Sequence, residues 1–546
     1  VLGANPLVSN GSLMTAPGVG KRLQALRARG GRLVVVDPRR SETAAIADQH
    51  LFIRPGADAH LLLALLHVIF AERLERVARL TVAVDDGLTT VRTLAARFAP
   101  ERVAESTGIA AETLRALARD FARAPSAVAY GRVGLCTQAF GGIAAWLVNV
   151  LNIVTGNIDR AGGAMFPTPA ADLVSLASRL GERGHFGAWK SRVRGLPEFG
   201  GELPAATLAE EIDTPGEGQI RALITHAGNP VLSTPNGARL ERALPKLDFM
   251  VSIDLYRNET TRHAHLILPT SFGFERDHYD LAFYALSVRN AARYARAILQ
   301  PPPGVRHDWQ VLVDLALSLR KHGGGRRERQ LSLMLRALKL TGGPKRALDL
   351  LLRFGPRKLS VAKLLAQPHG LDLGALEPRL RQLLPAEAPR IALAPALFVA
   401  DVERLDAELS APNARVTDEL LLIGRRSLRS NNSWMHNSQR LVKGPEACTL
   451  LMHPRDAESR GLVDGQRVTV ESRVGKLEVP LAVSSEVGHG VVSLPHGWGH
   501  GRDGVALAVA GAHAGVSAND LTDEHALDAL SGNAAFNGVP VRVARL

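Results

Sequence analysis

The apolar run Leu33 to Val36 is too short for a helix, rich in Val and bounded by Gly31 and Pro38, so it predicts a buried parallel strand with Asp37 at its carboxyl end. Ser41 can cap a short helix running through Asp48. His50 to Ile53 reads as a second strand, and Pro55-Gly56 turns the chain into a helix that Asp58 can cap. Apolar spacing predicts further helices over 11–28, 61–74 and 110–123. A strand over 127–130 then leads into a Gly131 to Gly142 turn and a helix over 143–154, stopped at Gly156-Asn157. Residues 166–218 read as an irregular connecting lobe without chemistry. Three more strands follow, within 220–233, 248–254 and 264–270, each ending in hydrogen-bonding groups. The stretch 310–384 is mostly helical, broken by a flexible basic run from Lys321 to Arg329, and 385–413 reads as a linker. Clustered β-formers over 420–423, 467–471, 476–479, 491–494 and 541–543, with turns such as Asp464-Gly465, predict a small barrel.

Strand ends in open α/β sheets face the crevice where ligands bind, and a carboxylate there can accept hydrogen bonds from a ribose or a base edge. Asp37 and Asp58 would be delivered to one such crevice. The alternative is an ordinary αβ unit whose Asp residues only cap helices, since no Gly-rich phosphate loop accompanies them. The later strands repeat the arrangement, so the chain reads as two related mononucleotide-binding lobes followed by the barrel. The turn before the 143–154 helix can offer backbone N–H groups to phosphate oxygens.

The chain has 546 residues, enough for three or four domains, and an ordinary globular composition. Its formal net charge of +13 favours anionic partners, although Lys and Arg are spread along the whole chain rather than forming an arm. Only 5% of residues are aromatic, which argues against a basic stripe with stacking side chains and hence against nucleic acid. The two cysteines, Cys136 and Cys448, form no C-x-x-C pair, so neither a zinc site, an iron–sulfur cluster nor a disulfide scaffold can be built from this chain alone. Cys136 lies in the 131–142 turn and reads as a buried thiol rather than a metal ligand. The PHGWGH segment, with His496 and His500, lacks helical metal-ligand spacing; with His436 it reads as cofactor contact or packing around Trp498. No run is long enough to span a bilayer. Starting at Val1 without Met or a charged leader, the sequence is expected to begin inside a longer protein.

VVVDPRRSETAAIAD with IRPGADAHLLLALLH, then VTGNIDRAGG, closely resembles the molybdopterin oxidoreductases of the dimethyl sulfoxide reductase and formate dehydrogenase superfamily. So do the AGNPVLS turn, DLYRNETT, LILPT and the Asp308-Trp309 pair. The strongest resemblance is HPRDAESRGLVDGQRVTVESRVGKLEVPLAVSSEVGHGVVSLPHGWG, which is similar to the family's C-terminal dinucleotide-binding barrel; NNSWMHN also fits its cofactor-facing loops. The resemblance implies an α/β fold of two Rossmann-like lobes over 1–165 and 166–413 and a double-psi-type barrel over 414–546. It implies a bis-molybdopterin guanine dinucleotide carrying molybdenum or tungsten.

Carried over residue by residue, the implied cofactor contacts in the first lobe are Asn5, Asp37, Arg39, Pro55, Gly56, Asp58, Gly134 and either Thr137 or Gln138. In the second lobe they are Asn229, Ser233, Asp254, Thr270 and Asp308, and in the barrel Arg426, His436, Asn437 and Asn519. His265 stands where the family usually has Asp. The metal ligand and a 4Fe-4S cluster domain are expected upstream of Val1, with no metal held by this chain. The chain alone is therefore expected to be catalytically inactive. The implied activity is two-electron oxidoreduction of a small molecule, with an electron-transfer protein as partner, in the cytoplasm unless a twin-arginine signal precedes Val1. A non-catalytic homologous subunit that binds no metal is the alternative.

Overall fold

The computed structural model describes residues 1–9, 15–181, 184–319, 326–385, 389–411 and 418–546. In the first lobe, β1 (Val34–Val36) pairs in parallel with β2 (Gln49–Leu51), Val35 facing His50. Leu2 bridges Val36 on one side and Gly131 on the other. The predicted strand over 127–130 is thus reduced to one bridge. The buried Asn152 side chain takes its place by accepting from Ala129 N and donating to Ala129 O, both at 2.9 Å, which satisfies the backbone that a neighbouring strand would have paired.

The helix Asp58–Ala71 is apolar almost all round and therefore central, with Leu61, Leu62, Leu63, Leu66 and Ile69 fully buried. It starts before the expected Leu61. Asp58 is its first residue and does not cap it: Ala57 occupies the cap position without a side-chain bond. Helices Gly87–Ala96, Pro100–Thr107, Ala111–Arg123 and Gly141–Val154 pack around it in one core. Truncating Leu62 there would cost about 2–5 kcal/mol. Of the helix predicted over 11–28, Val19–Ala28 is helical, beginning after Gly18 in the left-handed region (φ 63°), while 10–14 lie outside the described residues.

Residues 166–218 are more regular than the sequence suggests. They hold the helix Leu173–Arg179 and the antiparallel hairpin Phe186–Lys190 with Pro197–Phe199, pinned by buried Glu198 accepting from Ala188 N and Gly201 N. The second lobe follows as three parallel strands, β3 (Ala222–His226), β4 (Phe249–Ile253) and β5 (Leu266–Ile267), with β4 in the middle. Helices Leu208–Asp213 and Gly237–Ala243 cover one face through Ile212, Leu240, Leu244 and Met250.

The 310–384 stretch is mostly helical as expected; residues 321–325 of the Lys321 to Arg329 run lie outside the described residues, and Arg326 to Arg329 open the helix Arg326–Leu340 rather than forming a loop. The expected linker over 385–413 is instead structural in its described part. Apolar spacing across Phe398, Val402 and Leu405 makes the helix Ala396–Ser410, which buries Val402 and Leu405 in the first lobe's core and is clamped by Arg97 onto Glu403 and Asp406.

The barrel closes with six strands: β6 (Leu420–Arg425), β7 (Leu450–Met452), β8 (Arg467–Glu471), β9 (Lys476–Val483), β10 (Val491–Pro495) and β11 (Val539–Arg545). Their order around it is β6-β10-β7-β9-β8-β11, returning to β6. Alternate residues such as Val468, Val470, Val479, Leu481, Val541 and Val543 fill the interior. Three-residue β7 escapes a sequence pattern because it is too short to alternate. Among the described residues no helix is long and apolar enough to cross a membrane.

Candidate functional site

The two lobes and the barrel meet around a cleft of about 890 Å³, lined by the ends of β1 and β6, the 55–58 and 132–138 turns, the 227–233 turn and the loops 426–435, 496–497, 518–522 and 536–537. Thirteen of the sequence-derived residues line it: Asn5, Asp37, Arg39, Pro55, Gly56, Asp58, Gly134, Thr137, Gln138, Asn229, Ser233, Arg426 and Asn519. The other five do not. Asp254 and Asn437 line a small void beside it with Asn229 and His500, His436 is packed behind the wall, and Thr270 and Asp308 lie at other parts of the second lobe.

Asp37 is held at the end of β1, where Oδ1 accepts from Arg39 N at 2.9 Å. Burial, and to a smaller degree the nearby Asp58, push its carboxyl up to about 7, although the Arg39 contacts oppose this. Asp58 is buried and raised to about 6, with Oδ2 accepting from Gln138 Nε2 at 2.7 Å. Gln138 rather than Thr137 therefore reaches this carboxylate. Thr137 Oγ1 instead accepts from Asn537 Nδ2 at 2.7 Å, which ties the barrel to the first lobe. Two desolvated carboxylates with acceptor sites to spare suit a ligand that presents N–H or O–H donors.

The turns around them need glycine. Gly3 has φ 54°, and a Cβ there would lie 2.4 Å from Leu135 N; one on Gly134 would lie 2.9 Å from the Gly3 backbone. Arg39 spans Glu42 and Glu486, joining the first lobe to the barrel, where Arg40 N also donates to Glu486 O at 2.6 Å. Arg426 donates to Asn432 Oδ1 at 2.6 Å, and burial lowers its pKa. His496 beside it is pushed down to about 4, by burial first and Arg426 second, so it faces the cleft as a neutral ring.

Several implied contacts already have partners within the protein. Asn5 Oδ1 accepts from Thr43 N and Oγ1. Asn229 donates to Glu259 Oε2 and accepts from Thr260 Oγ1, both at 2.7 Å. Asn437 Oδ1 accepts from Val509 N and Ala510 N, and Asn519 Nδ2 donates to Leu232 O at 2.7 Å. Asp254 accepts from Leu255 N and Tyr256 N, with its pKa raised by burial. Asp308 holds Arg276 by two bonds and lies 3.4 Å from His226 Nε2.

Sequence reasoning missed Glu259, which is fully buried at the seam between second lobe and barrel. His500 Nδ1 meets Glu259 Oε1 at 2.9 Å, His500 Nε2 meets His436 Nδ1 at 2.8 Å, and His436 stacks on Trp498 with centroids 4.1 Å apart. Burial would raise Glu259, but the bonds from His500 and Asn229 hold it below its ordinary value, while burial drives His436 down to about 4. Asn537 was also missed; the only hint is an Asn-Gly turn ahead of the last strand.

Cys136 lines a hollow of about 200 Å³ that adjoins the cleft, sharing Arg132, Val133, Thr137 and Phe536 with it, and Cys448 is buried in the barrel, their thiols raised by burial. Among the described residues one metal-capable group occurs, His453, Asp456 and His489, at the barrel end away from His496; there Asp456 accepts from His489 Nδ1 and Gly490 N, both at 2.8 Å.

Comparison with known proteins bears on what this cleft is for. The family described as Molybdopterin oxidoreductase matches residues 1–317, and the Molydopterin dinucleotide binding domain matches 420–540. The assimilatory nitrate reductase catalytic subunit of Bacillus subtilis is 29% identical over 311 residues, covering 54% of this chain and 42% of the relative. Formate dehydrogenase H of Escherichia coli is 26% identical over 328 residues, 58% of this chain and 44% of the relative. The chain thus spans less than half the length of either. Subunit alpha of the F420-dependent formate dehydrogenase 1 of Methanococcus maripaludis is 23% identical over 90% of this chain and 71% of its own. The solved acetylene hydratase of Pelobacter acetylenicus shares the fold at a TM-score of 0.74 and 18% identity, over 98% of this chain and 77% of that one. The first match, over more than half of the chain, takes in β1 to β5 of the two α/β lobes, and the second spans the barrel that closes the cleft over them, so the chain belongs to the molybdopterin oxidoreductase family.

Proposed function

We propose that the cleft holds a bis-molybdopterin guanine dinucleotide and that the chain is part of the catalytic subunit of a molybdenum- or tungsten-dependent oxidoreductase. The observation that carries this reading is the pair Asp37 and Asp58: a half-buried and a buried carboxylate, both raised by desolvation, with unspent acceptor sites in one polar cleft. A guanine edge and ribose present the N–H and O–H donors such carboxylates lack, and Arg39 and Arg426 supply countercharge for pyrophosphate. The cofactor supplies two-electron chemistry at a metal when bound. The protein's part is to hold and orient it: the Gly3–Gly134 contact lets backbone approach closely, neutral His496 offers a donor or an acceptor without adding charge, and the barrel loops shut out water.

Domain limits of 1–165, 166–413 and 414–546 follow this division of labour except that Ala396–Ser410 returns to the first lobe's core; the last boundary falls at 412–417, outside the described residues. Neither cysteine lines the cleft, so the reading assigns the metal ligand and an iron–sulfur exit for electrons to polypeptide beyond these residues. The substrate class is a small acid or oxyanion, as the names of the nitrate reductase and formate dehydrogenase relatives suggest, with an electron-transfer protein as partner in the cytoplasm.

Protein made in a host that synthesises the cofactor is expected to release guanine nucleotide on denaturation, together with molybdenum or tungsten. Folded protein without guanine nucleotide would refute the proposal and leave the non-catalytic homologue in its place. These residues alone should give no turnover with a dye acceptor.

A further inference from the structure

Lys and Arg occur along the whole chain, but the positive excess does not. Residues 326–363 contain eleven Lys and Arg against only Glu328 and Asp349, and so hold nine of the thirteen net charges. This segment lies between the two family-matched regions and touches no part of the cleft. We propose that it is a docking surface for an anionic lipid bilayer.

The surface is built on two helices, Arg326–Leu340 and Pro344–Phe354. The second is strongly two-faced. Leu348 and Leu352 pack inward against Ala170, Tyr294, Val361 and Leu364, while Arg346, Leu350, Arg353 and Phe354 recur at helical spacing on the outward side. The turn between the helices is fixed, because Gly343 (φ 68°) sits so close to Trp309 that a Cβ would lie 2.6 Å from the ring. Lys339 pairs with Asp314 and Lys345 with Asp277, anchoring the layer to the body. Arg336, Arg346, Arg357, Lys358 and Lys363 have no ion pair among the described residues.

Large apolar side chains stand out among these cations: Leu340 is 86% exposed, Phe354 79%, and Leu333 and Met334 68% each. Water is a poor environment for such a set, and basic residues interleaved with protruding Leu and Phe are what an interfacial helix presents to headgroups and acyl chains. A nucleic acid would call for several stacking aromatics, and Phe354 stands alone here. An acidic protein would answer the charge, but projecting single side chains need matching pockets in a rigid partner, whereas lipid yields to them. Charge complementarity together with protruding apolar tips therefore favours a bilayer.

The test is co-sedimentation of the purified chain with phosphatidylcholine vesicles, with and without about a third phosphatidylglycerol. Binding to the anionic vesicles should be at least about tenfold tighter and should fall as salt screens the headgroups. The triple variant R346Q/R357Q/K358Q should lose tenfold or more, and L340S/F354S severalfold at unchanged charge, with melting temperatures close to the parent's. Equal binding to neutral and anionic vesicles, or none to either, would overturn the proposal. So would full vesicle binding by L340S/F354S, because the surface would then be answering charge alone, as an acidic protein or polyglutamate also would.

Discussion

The two α/β lobes carry the same sequence signal, a short apolar strand ending in a carboxylate, yet they spend that carboxylate differently. In the first lobe Asp37 faces the cleft with one backbone donor and is pushed up to about 7 by burial. In the second, the strand-end acid Asp254 accepts from Leu255 N, Tyr256 N and Asn258 Nδ2, Asp308 at the start of a helix is held by Arg276, and Asn229 and Glu259 are consumed in a network that reaches the barrel. A strand-end acid is thus a ligand contact only where the protein leaves its lone pairs unused. Where backbone donors fill them, as at Asp254, or a cation does, as at Asp308, the acid is architecture.

The largest effect expected from this contrast is at the seam. Glu259→Ala would strip His500 and Asn229 of their buried acceptor and should lower stability by about 3–5 kcal/mol. Chemical denaturation measures it. A loss below about 1 kcal/mol would mean that the second lobe's polar network does not hold the barrel.

The first lobe should respond to pH in the opposite sense from an ordinary ion pair. Asp37 and Asp58 titrate higher in the folded protein than in the unfolded chain, so their contribution is fully present below about pH 4 and is lost as pH rises through about 6 to 7. At pH 8 the cofactor-free Asp37→Asn variant should be more stable than the parent by up to about 4 kcal/mol, and the gap should close toward pH 4. Melting curves of both proteins across that range decide it; a constant gap would mean that Asp37 is not desolvated.

Much of this was legible in the sequence, for reasons that differ between regions. β1, the helix after Asp58 and the barrel strands could be read because burial forces apolar periodicity on them. The seam could not, because Glu259 and Asn229 meet His500 and His436 only after the second lobe and the barrel fold together, and no local pattern records such a meeting. The 385–413 stretch was misread as a linker because Pro and polar residues at its ends hide the apolar spacing of Ala396–Ser410. Asp308 stands in the Asp308-Trp309 pair that the family resemblance singles out, and nothing near it in sequence shows that Arg276, 32 residues away, holds its carboxylate.

Binding should separate the lobes more sharply than stability does. Asp37→Ala would leave donors of a guanosine unpaired and weaken dinucleotide binding by about 1–3 kcal/mol, roughly tenfold to a hundredfold or more, in a protein that still folds. Guanine content per folded molecule is the measurement. Unchanged content in a stable Asp37→Ala protein would remove this residue from the site and, with it, the main distinction drawn between the lobes.

The smallest effect should be at Asp308. Its carboxyl is buried only in part; burial would raise it, but the bonds from Arg276 outweigh that and hold it below the ordinary Asp range. A depressed folded pKa gives stability that is present above the unfolded value near 4 and lost as pH falls further. Because Arg276 is 43% exposed, solvent screens the pair, and Asp308→Asn should cost less than about 1 kcal/mol at neutral pH, with no cost under strongly acid conditions. Guanine content should stay within about twofold of the parent, less than a single lost hydrogen bond would take away. If Asp308→Asn instead emptied the cleft of nucleotide while folding normally, Arg276 would have to release the carboxylate when ligand binds. The second lobe would then offer a helix-start acid to the ligand as the first offers Asp37, and the two lobes would differ in timing rather than in kind.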